Sequence, residues 1–203
     1  MLAGTRGWRH DEHMLTERAP RNPTLRAEFL KSDSLTSLPV PPDDRLRELA
    51  KSMTSALEEG NAKGVHAACV GFLGVAADFY EVKRPGVRVL AARPLRVRED
   101  GWASELFGDY GPETLQIRLW MRTAIRKQVT SFGTFLSTLC HEFCHHLDYQ
   151  RLRFRDSWHT RGFYERTATL YHHARGTPCK RLFWVRMPGG RWRIDWPRTQ
   201  HGN

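Results

Sequence analysis

The sequence predicts an α+β fold, because it contains both helical and strand-like patterns of apolar residues. Several segments repeat apolar residues at intervals of three and four, as helices packed on a core do. Other segments alternate apolar and polar residues, as strands with one buried face do. The chain has 203 residues, 40% of them hydrophobic, which suits one compact domain with extensions. We expect a flexible tail over residues 1–42, the main domain over 43–178 and a basic aromatic hairpin over 179–203.

Four helices are expected, each from a capping residue or an apolar stripe. They run from Asp43 or Asp44 to about Glu59, from Ala62 to Tyr80, from Ser131 through Leu147, and from Gly162 to about Ala174. The second is apolar over most of its surface and is expected at the centre of the core. The third carries the strongest helical pattern, with phenylalanine and leucine recurring at three- and four-residue intervals.

Strands are expected between the second and third helices and near the C-terminus. The first lies over residues 87–90 and 95–97, interrupted by Pro94. The next two, 102–107 and 115–120, are joined by a turn at 108–112. The last two, 183–187 and 191–196, form a hairpin joined by 188–190. Within residues 115–120, Leu115, Ile117 and Leu119 alternate with polar neighbours, which indicates one buried and one exposed face.

The composition excludes several classes of protein. The mean hydropathy is −0.58, and the longest uncharged apolar run, residues 67–77, is half of the roughly 20 residues that a bilayer span needs. The first thirty residues contain no apolar signal-peptide core. The four cysteines form no CxxC pair, so neither a disulfide framework nor a zinc ribbon is expected. We therefore expect a cytoplasmic protein with no membrane partner.

The third predicted helix contains an HExxH motif, His141-Glu142-Phe143-Cys144-His145. Two histidines four residues apart lie on one helix face, so both imidazoles can reach one ion. Glu142 can point at the same space and act as general base on a water that Zn²⁺ has made acidic. The motif therefore predicts a metallopeptidase site, whereas the alternative is that both histidines are merely polar positions on a helix edge.

A catalytic zinc site needs a third protein ligand and an open fourth position. Two residues downstream of His145 are candidates for the third ligand. His159 lies fourteen residues on, just before the fourth helix, and Glu165 lies twenty residues on, inside that helix. His159 is favoured because imidazole is the commoner zinc ligand, and Glu165 remains the alternative.

The pattern around these residues resembles the SprT/WLM group of minimal zinc metallopeptidases. The HExxH…HxxxF(W/Y) pattern of the group matches this chain at His141, Glu142, His145, His159, Phe163 and Tyr164. The resemblance covers about residues 87–175 and implies a small zincin-like fold. In that fold a short antiparallel sheet has its edge strand, here residues 115–120, above the metal, and the HExxH helix lies beneath it. The resemblance also implies hydrolysis of protein or peptide substrates, although this chain lacks the C-terminal zinc ribbon of many SprT proteins.

The composition of the C-terminal hairpin suggests a second possible function for the chain. The chain has a net charge of +10, and residues 180–203 contain six basic residues against one acidic residue, interleaved with Phe183, Trp184, Trp192 and Trp196. This pattern suits base stacking with phosphate contacts, but it equally suits rings that pack on the domain while arginines face water. The alternative function is therefore a protein that binds DNA or another polyanion and carries a structural or vestigial zinc site. A protease recruited to DNA-bound proteins would combine both functions.

Overall fold

The computed structural model describes residues 14–97 and 103–201, and over that part of the chain the fold is α+β, as predicted. The helices are α1 Pro23–Ser34, α2 Arg45–Glu58, α3 Ala62–Phe79, α4 Phe132–Gln150, α5 Arg161–Arg175 and α6 Trp196–His201. The strands are β1 Gly86–Ala92, β2 Leu95–Val97, β3 Ala103–Glu105, β4 Gly108–Gly111, β5 Gln116–Arg122, β6 Trp184–Met187 and β7 Arg191–Ile194. The four predicted helices are confirmed as α2 to α5.

The described residues form two compact units that are not consecutive along the chain. Unit 1 contains residues 14–36, 158–165 and 180–201, and unit 2 contains residues 37–157 and 166–179. The first turn of α5 belongs to unit 1 and the rest of that helix to unit 2. Helix α1 lies inside the segment predicted as a flexible tail. Its polar sequence buries only Phe29 and Ser32 among its residues, which leaves no apolar stripe to reveal the helix.

The main sheet of unit 2 contains β1, β5 and β4 in that spatial order. Strand β1 runs parallel to β5, whereas β4 runs antiparallel to it. Ile117 and Leu119 of β5 are fully buried, as a central strand requires. The predicted all-antiparallel sheet is therefore wrong for the β1–β5 pair. The assignment of residues 115–120 to the edge strand is also wrong, because β5 is central and β4 is at the edge.

Strand β4 occupies the segment predicted as a turn, and Gly108 explains the error. Glycine favours turns in sequence patterns, but here it allows a close approach between the strand and helix α4. A Cβ atom at Gly108 would lie 2.6 Å from Cγ2 of Thr138 and 3.1 Å from Cγ of Glu142. The positive φ of 52° falls instead on Leu115, so the turn lies after β4. Strand β3, inside the predicted strand 102–107, pairs with β2, and residue 102 lies outside the described residues.

Helices α2, α3 and α4 supply most of the core of unit 2. Helix α4 begins at Ser131, whose side chain accepts a hydrogen bond from the backbone N–H of Thr134. It buries a continuous apolar stripe formed by Phe135, Leu136, Leu139, Phe143 and Leu147. Among the described helices, α3 is long and apolar enough to cross a membrane, but 39% of it is buried inside the protein. One such helix is weak support for a membrane span, because a core helix passes the same test.

Unit 1 contains the predicted hairpin of β6 and β7, whose register pairs Trp184 with Ile194. Helix α1 packs against the first turn of α5 at Gly162, where no side chain separates the two backbones. A Cβ atom there would lie 2.1 Å from the backbone oxygen of Ser32 and 2.7 Å from that of Leu35. Arg161, next to Gly162, forms an ion pair with Asp33 of α1. These contacts hold the segment that contains His159.

Gly162→Ala should destabilise the protein, because the atoms it would overlap belong to the backbone of α1 and cannot rotate away. We expect the free energy of unfolding to fall by about 1–3 kcal/mol in urea titrations. The matched control is Gly74→Ala on α3, where the nearest atom outside the helix lies 3.9 Å from the added Cβ. That change should be neutral or stabilise by up to about 1 kcal/mol. Equal stabilities for the two variants would contradict this packing.

Candidate metal centre

Helix α4 presents His141 and His145 to the same point. The two rings lie one turn apart, with centroids 4.8 Å apart and planes at 78°. Their Nε2 atoms are 3.1 Å apart. Two nitrogen ligands on one tetrahedral zinc, each bonded at 2.0–2.1 Å, are about 3.3 Å apart. The spacing of the two Nε2 atoms therefore already fits a shared zinc ion.

The ring of His145 is oriented by a chain of buried polar groups. Its Nδ1 lies 2.7 Å from Oγ of Ser157, and that hydroxyl donates to Oδ2 of Asp148 at 2.8 Å. Because the single hydroxyl proton goes to Asp148, Nδ1 of His145 must be the donor to Ser157, which leaves Nε2 as the acceptor. Arg166 donates to Oδ1 of Asp148 at 2.9 Å, and both members of that ion pair are buried. The core thus fixes the tautomer that a metal needs.

His159 is held in unit 1 by Glu17 and by an aromatic pair. Its Nδ1 donates to Oε1 of Glu17 at 2.9 Å, and this hydrogen bond lowers the pKa of Glu17 below its usual value. The ring lies edge-on to Phe163 and stacks on Tyr164, with centroids 5.2 and 5.8 Å away. These two residues are the aromatic pair of the HxxxF(W/Y) pattern, and both are buried. The pattern therefore has a local physical role, because the rings limit how the imidazole can turn.

His141, His145 and His159 form a group whose ligand atoms all lie within 4.8 Å of one another. All three side chains are half-buried, and neutral imidazoles suit zinc as ligands. Glu165, the alternative third ligand, lies outside this group, and its Oε1 accepts a hydrogen bond from Nε1 of Trp184 at 3.2 Å. The residues present therefore fit a three-histidine metal site, and the cluster favours His159 as the third member.

Glu142 follows His141 on α4, and its carboxyl group is almost completely buried. Burial raises its pKa from 4.5 to about 8, and the nearby negative charge of Asp109 adds to the increase. Without a cation the side chain is therefore protonated at neutral pH. A divalent ion beside it would favour the carboxylate, because an opposite charge stabilises the ionised form.

Several neighbouring residues have structural roles. His146 is fully buried: Nε2 donates to the carbonyl of Lys83 and Nδ1 accepts from the hydroxyl of Tyr110. Cys140 and Cys144 are core residues, and burial raises the pKa of Cys144 to about 12. The hydroxyl of Tyr164 donates to the carbonyl of Leu15 at 3.4 Å.

The aromatic residues of the C-terminal hairpin have partners inside unit 1. The guanidinium of Arg161 lies 4.7 Å from the ring centre of Trp192, and the guanidinium of Arg198 lies 4.3 Å from that of Phe183. Trp184 donates to Glu165, as described above. These contacts favour the prediction that the aromatic rings pack on the protein over the prediction that they stack on nucleic-acid bases. Binding of DNA or another polyanion stays a prediction.

Two functional residues were not found by sequence analysis, namely Glu17 and Ser157. Glu17 lies 142 residues from His159 along the chain, so no local spacing connects them. Ser157 lies two residues before His159, but its hydroxyl contacts His145, so its position in the sequence does not reveal its partner. Asp148 acts on His145 through Ser157, whereas Asp156 accepts from the backbone N–H of Ser157.

No family model, curated protein or solved structure matches this chain. The interpretation of the site therefore depends only on the residues of this chain.

Ser157→Ala should weaken the binding of a metal ion at the three histidines while the protein stays folded. The change removes the acceptor for Nδ1 of His145, and loss of such a partner typically costs 10–100-fold in metal affinity, so we expect a decrease of about 10-fold. Competition with a chromophoric chelator measures the dissociation constant. Ser55→Ala, at an exposed serine on α2, is the matched control. Unchanged affinity in Ser157→Ala would contradict the orientation of His145 by Ser157.

Glu142→Gln should stabilise the metal-free protein in alkaline solution but not in acid. Burial raises the folded-state pKa of Glu142, so the contribution of its protonated side chain to the free energy of unfolding is complete below pH 4.5. That contribution is lost as the pH rises to about 8. The amide of the glutamine is neutral at every pH, so the variant never places a negative charge in this buried position. We expect a gain on the order of a few kcal/mol at pH 8 and almost none below pH 4.5, from urea unfolding with chelator present.

The control for this pH dependence is Glu58→Gln, at an exposed glutamate on α2. Its stability difference from the unmodified chain should not depend on pH in the same range. A Glu142→Gln gain that stays constant from acid to alkaline pH would show that burial does not raise the pKa of Glu142.

Proposed function

We propose that this chain is a zinc-dependent metallopeptidase of the minimal zincin type, in which His141, His145 and His159 hold the ion. The observation that carries the proposal is the group of three imidazoles with ligand atoms within 4.8 Å, on a helix that also bears Glu142. Three protein ligands leave the fourth zinc position for water or substrate, which is the pattern of catalytic rather than structural zinc sites.

Glu142 is the proposed general base. When bound, zinc lowers the pKa of water towards 7 and polarises a carbonyl group. The carboxylate of Glu142 would accept the proton of the attacking water and later deliver it to the leaving amine. Its position on the same helix as His141 and His145 supports this role.

Strand β4 is the proposed place where a peptide substrate binds. One edge of β4 pairs with β5, and no other strand among the described residues pairs with its second edge. An extended peptide can add to such an edge through backbone hydrogen bonds. The absence of a side chain at Gly108 brings this strand against Glu142. A peptide on β4 would therefore lie close to the proposed base.

The resemblance to the SprT/WLM group supports the same function. The aromatic pair of that pattern, Phe163 and Tyr164, packs on the ring of His159. The pair would therefore help to orient the proposed third ligand. The antiparallel edge strand next to the HExxH helix also agrees with a zincin-like arrangement, although it is β4 rather than residues 115–120. Hydrolysis in the cytoplasm and action on protein or peptide substrates belong to this proposal.

The proposal is tested by separating metal binding from hydrolysis. Purified protein should contain one zinc per chain, and the His141→Ala/His145→Ala double variant should contain none. Glu142→Gln should keep its zinc and lose peptide hydrolysis by about 100-fold or more, because it lacks the proton acceptor. Zinc content is measured by elemental analysis and activity on a quenched fluorescent casein. Zinc retained by the double variant, or full activity in Glu142→Gln, would contradict the proposal.

A further inference from the structure

The short segment Leu15–Glu17 joins strand β7 to the loop that carries His159. Leu15 forms a β-bridge with Arg193, and the backbone N–H of Thr16 donates to the carbonyl of Trp192 at 2.8 Å. The backbone N–H of Trp192 donates in return to Oγ1 of Thr16 at 2.7 Å. Thr16 is 3% exposed. This segment is therefore hydrogen-bonded to β7 within unit 1.

The last residue of this segment, Glu17, is hydrogen-bonded to His159. Its backbone N–H donates to the carbonyl of His159 at 2.9 Å. Its Oε1 accepts two hydrogen bonds from His159, one from the backbone N–H at 3.2 Å and one from Nδ1 at 2.9 Å. The two residues thus share three hydrogen bonds, and one carboxylate oxygen fixes both the backbone and the ring of His159.

A carboxylate that accepts from Nδ1 has a defined effect on an imidazole. It places the ring proton on Nδ1, so that the lone pair lies on Nε2, and it makes the ring a stronger ligand. Histidines that bind metals usually have such a partner. His145 obtains the same tautomer from Ser157 in the core, whereas His159 obtains it from a residue of the N-terminal segment.

We propose that Glu17 is a positioning residue for the metal centre, which holds His159 in the tautomer and orientation that present Nε2 to the ion. This inference rests on the proposed metal site and assigns part of it to the N-terminal segment. Residues 14–17 would then be needed for metal affinity, although none of them is a ligand.

The first test uses the metal-free protein and needs no activity. Nitrogen-15 NMR at a pH of about 8.5, above the ordinary pKa of histidine, reports which ring nitrogen of His159 carries the proton. The unmodified chain and Glu17→Gln should show the Nδ1–H tautomer, because the amide oxygen still accepts. Glu17→Ala should show a mixture with the Nε2–H form. A pure Nδ1–H ring in Glu17→Ala would overturn the proposal.

The second test measures zinc affinity of the same variants by chelator competition. Glu17→Ala should bind zinc about 10–100-fold more weakly, and Glu17→Gln should lie between it and the unmodified chain. Glu58→Gln, which removes an exposed charge from α2, should bind as the unmodified chain does. Equal affinity in Glu17→Ala, or a loss of affinity with no change of tautomer, would overturn the positioning role.

Failure of the inference and failure of the proposed function give different results. If the unmodified chain binds no zinc, the proposed function fails, whereas the tautomer comparison still reports on Glu17. If the unmodified chain binds zinc tightly and Glu17→Ala binds it equally, only the inference fails.

Discussion

The candidate site depends on one constraint, namely that an imidazole can bind a metal only through a nitrogen that carries no proton. A histidine must therefore keep its ring proton on the opposite nitrogen, and something must accept that proton in a hydrogen bond. Ser157 performs this task for His145 and Glu17 performs it for His159. Because both acceptors are themselves fixed, by Asp148 and by the backbone of His159, the two rings are oriented before any ion arrives.

The core of unit 2 supports this arrangement at a cost in stability. The ion pair of Asp148 and Arg166 is buried, and taking such charges out of water costs several kcal/mol per ion, which their mutual attraction must offset. Glu142 is buried as well, and its raised pKa records the cost of placing a carboxyl group there. A cation at the three histidines would relieve that cost. The buried carboxyl group of Glu142, which is costly in the empty protein, would thus favour metal binding, and such perturbed groups are common at functional sites.

Sequence patterns predicted the parts of the molecule that depend on local chemistry. The apolar stripe and the capping Ser131 predict α4, and the spacing of His141 and His145 predicts their shared face. The sheet was harder to predict, because Gly108 favours a turn in sequence although it is required by the approach of α4. Glu17 could not be predicted, since 142 residues separate it from His159. Long-range hydrogen bonds leave no periodic signal in the sequence.

X-ray absorption spectroscopy of the zinc-loaded chain tests the central claim most directly, because it counts the ligands and identifies their atoms. The account predicts three imidazole nitrogens and one further light atom at about 2.0–2.1 Å, with the outer-sphere scattering typical of imidazole rings. Sulfur at about 2.3 Å, or scattering from only two imidazoles, would contradict a site built by His141, His145 and His159.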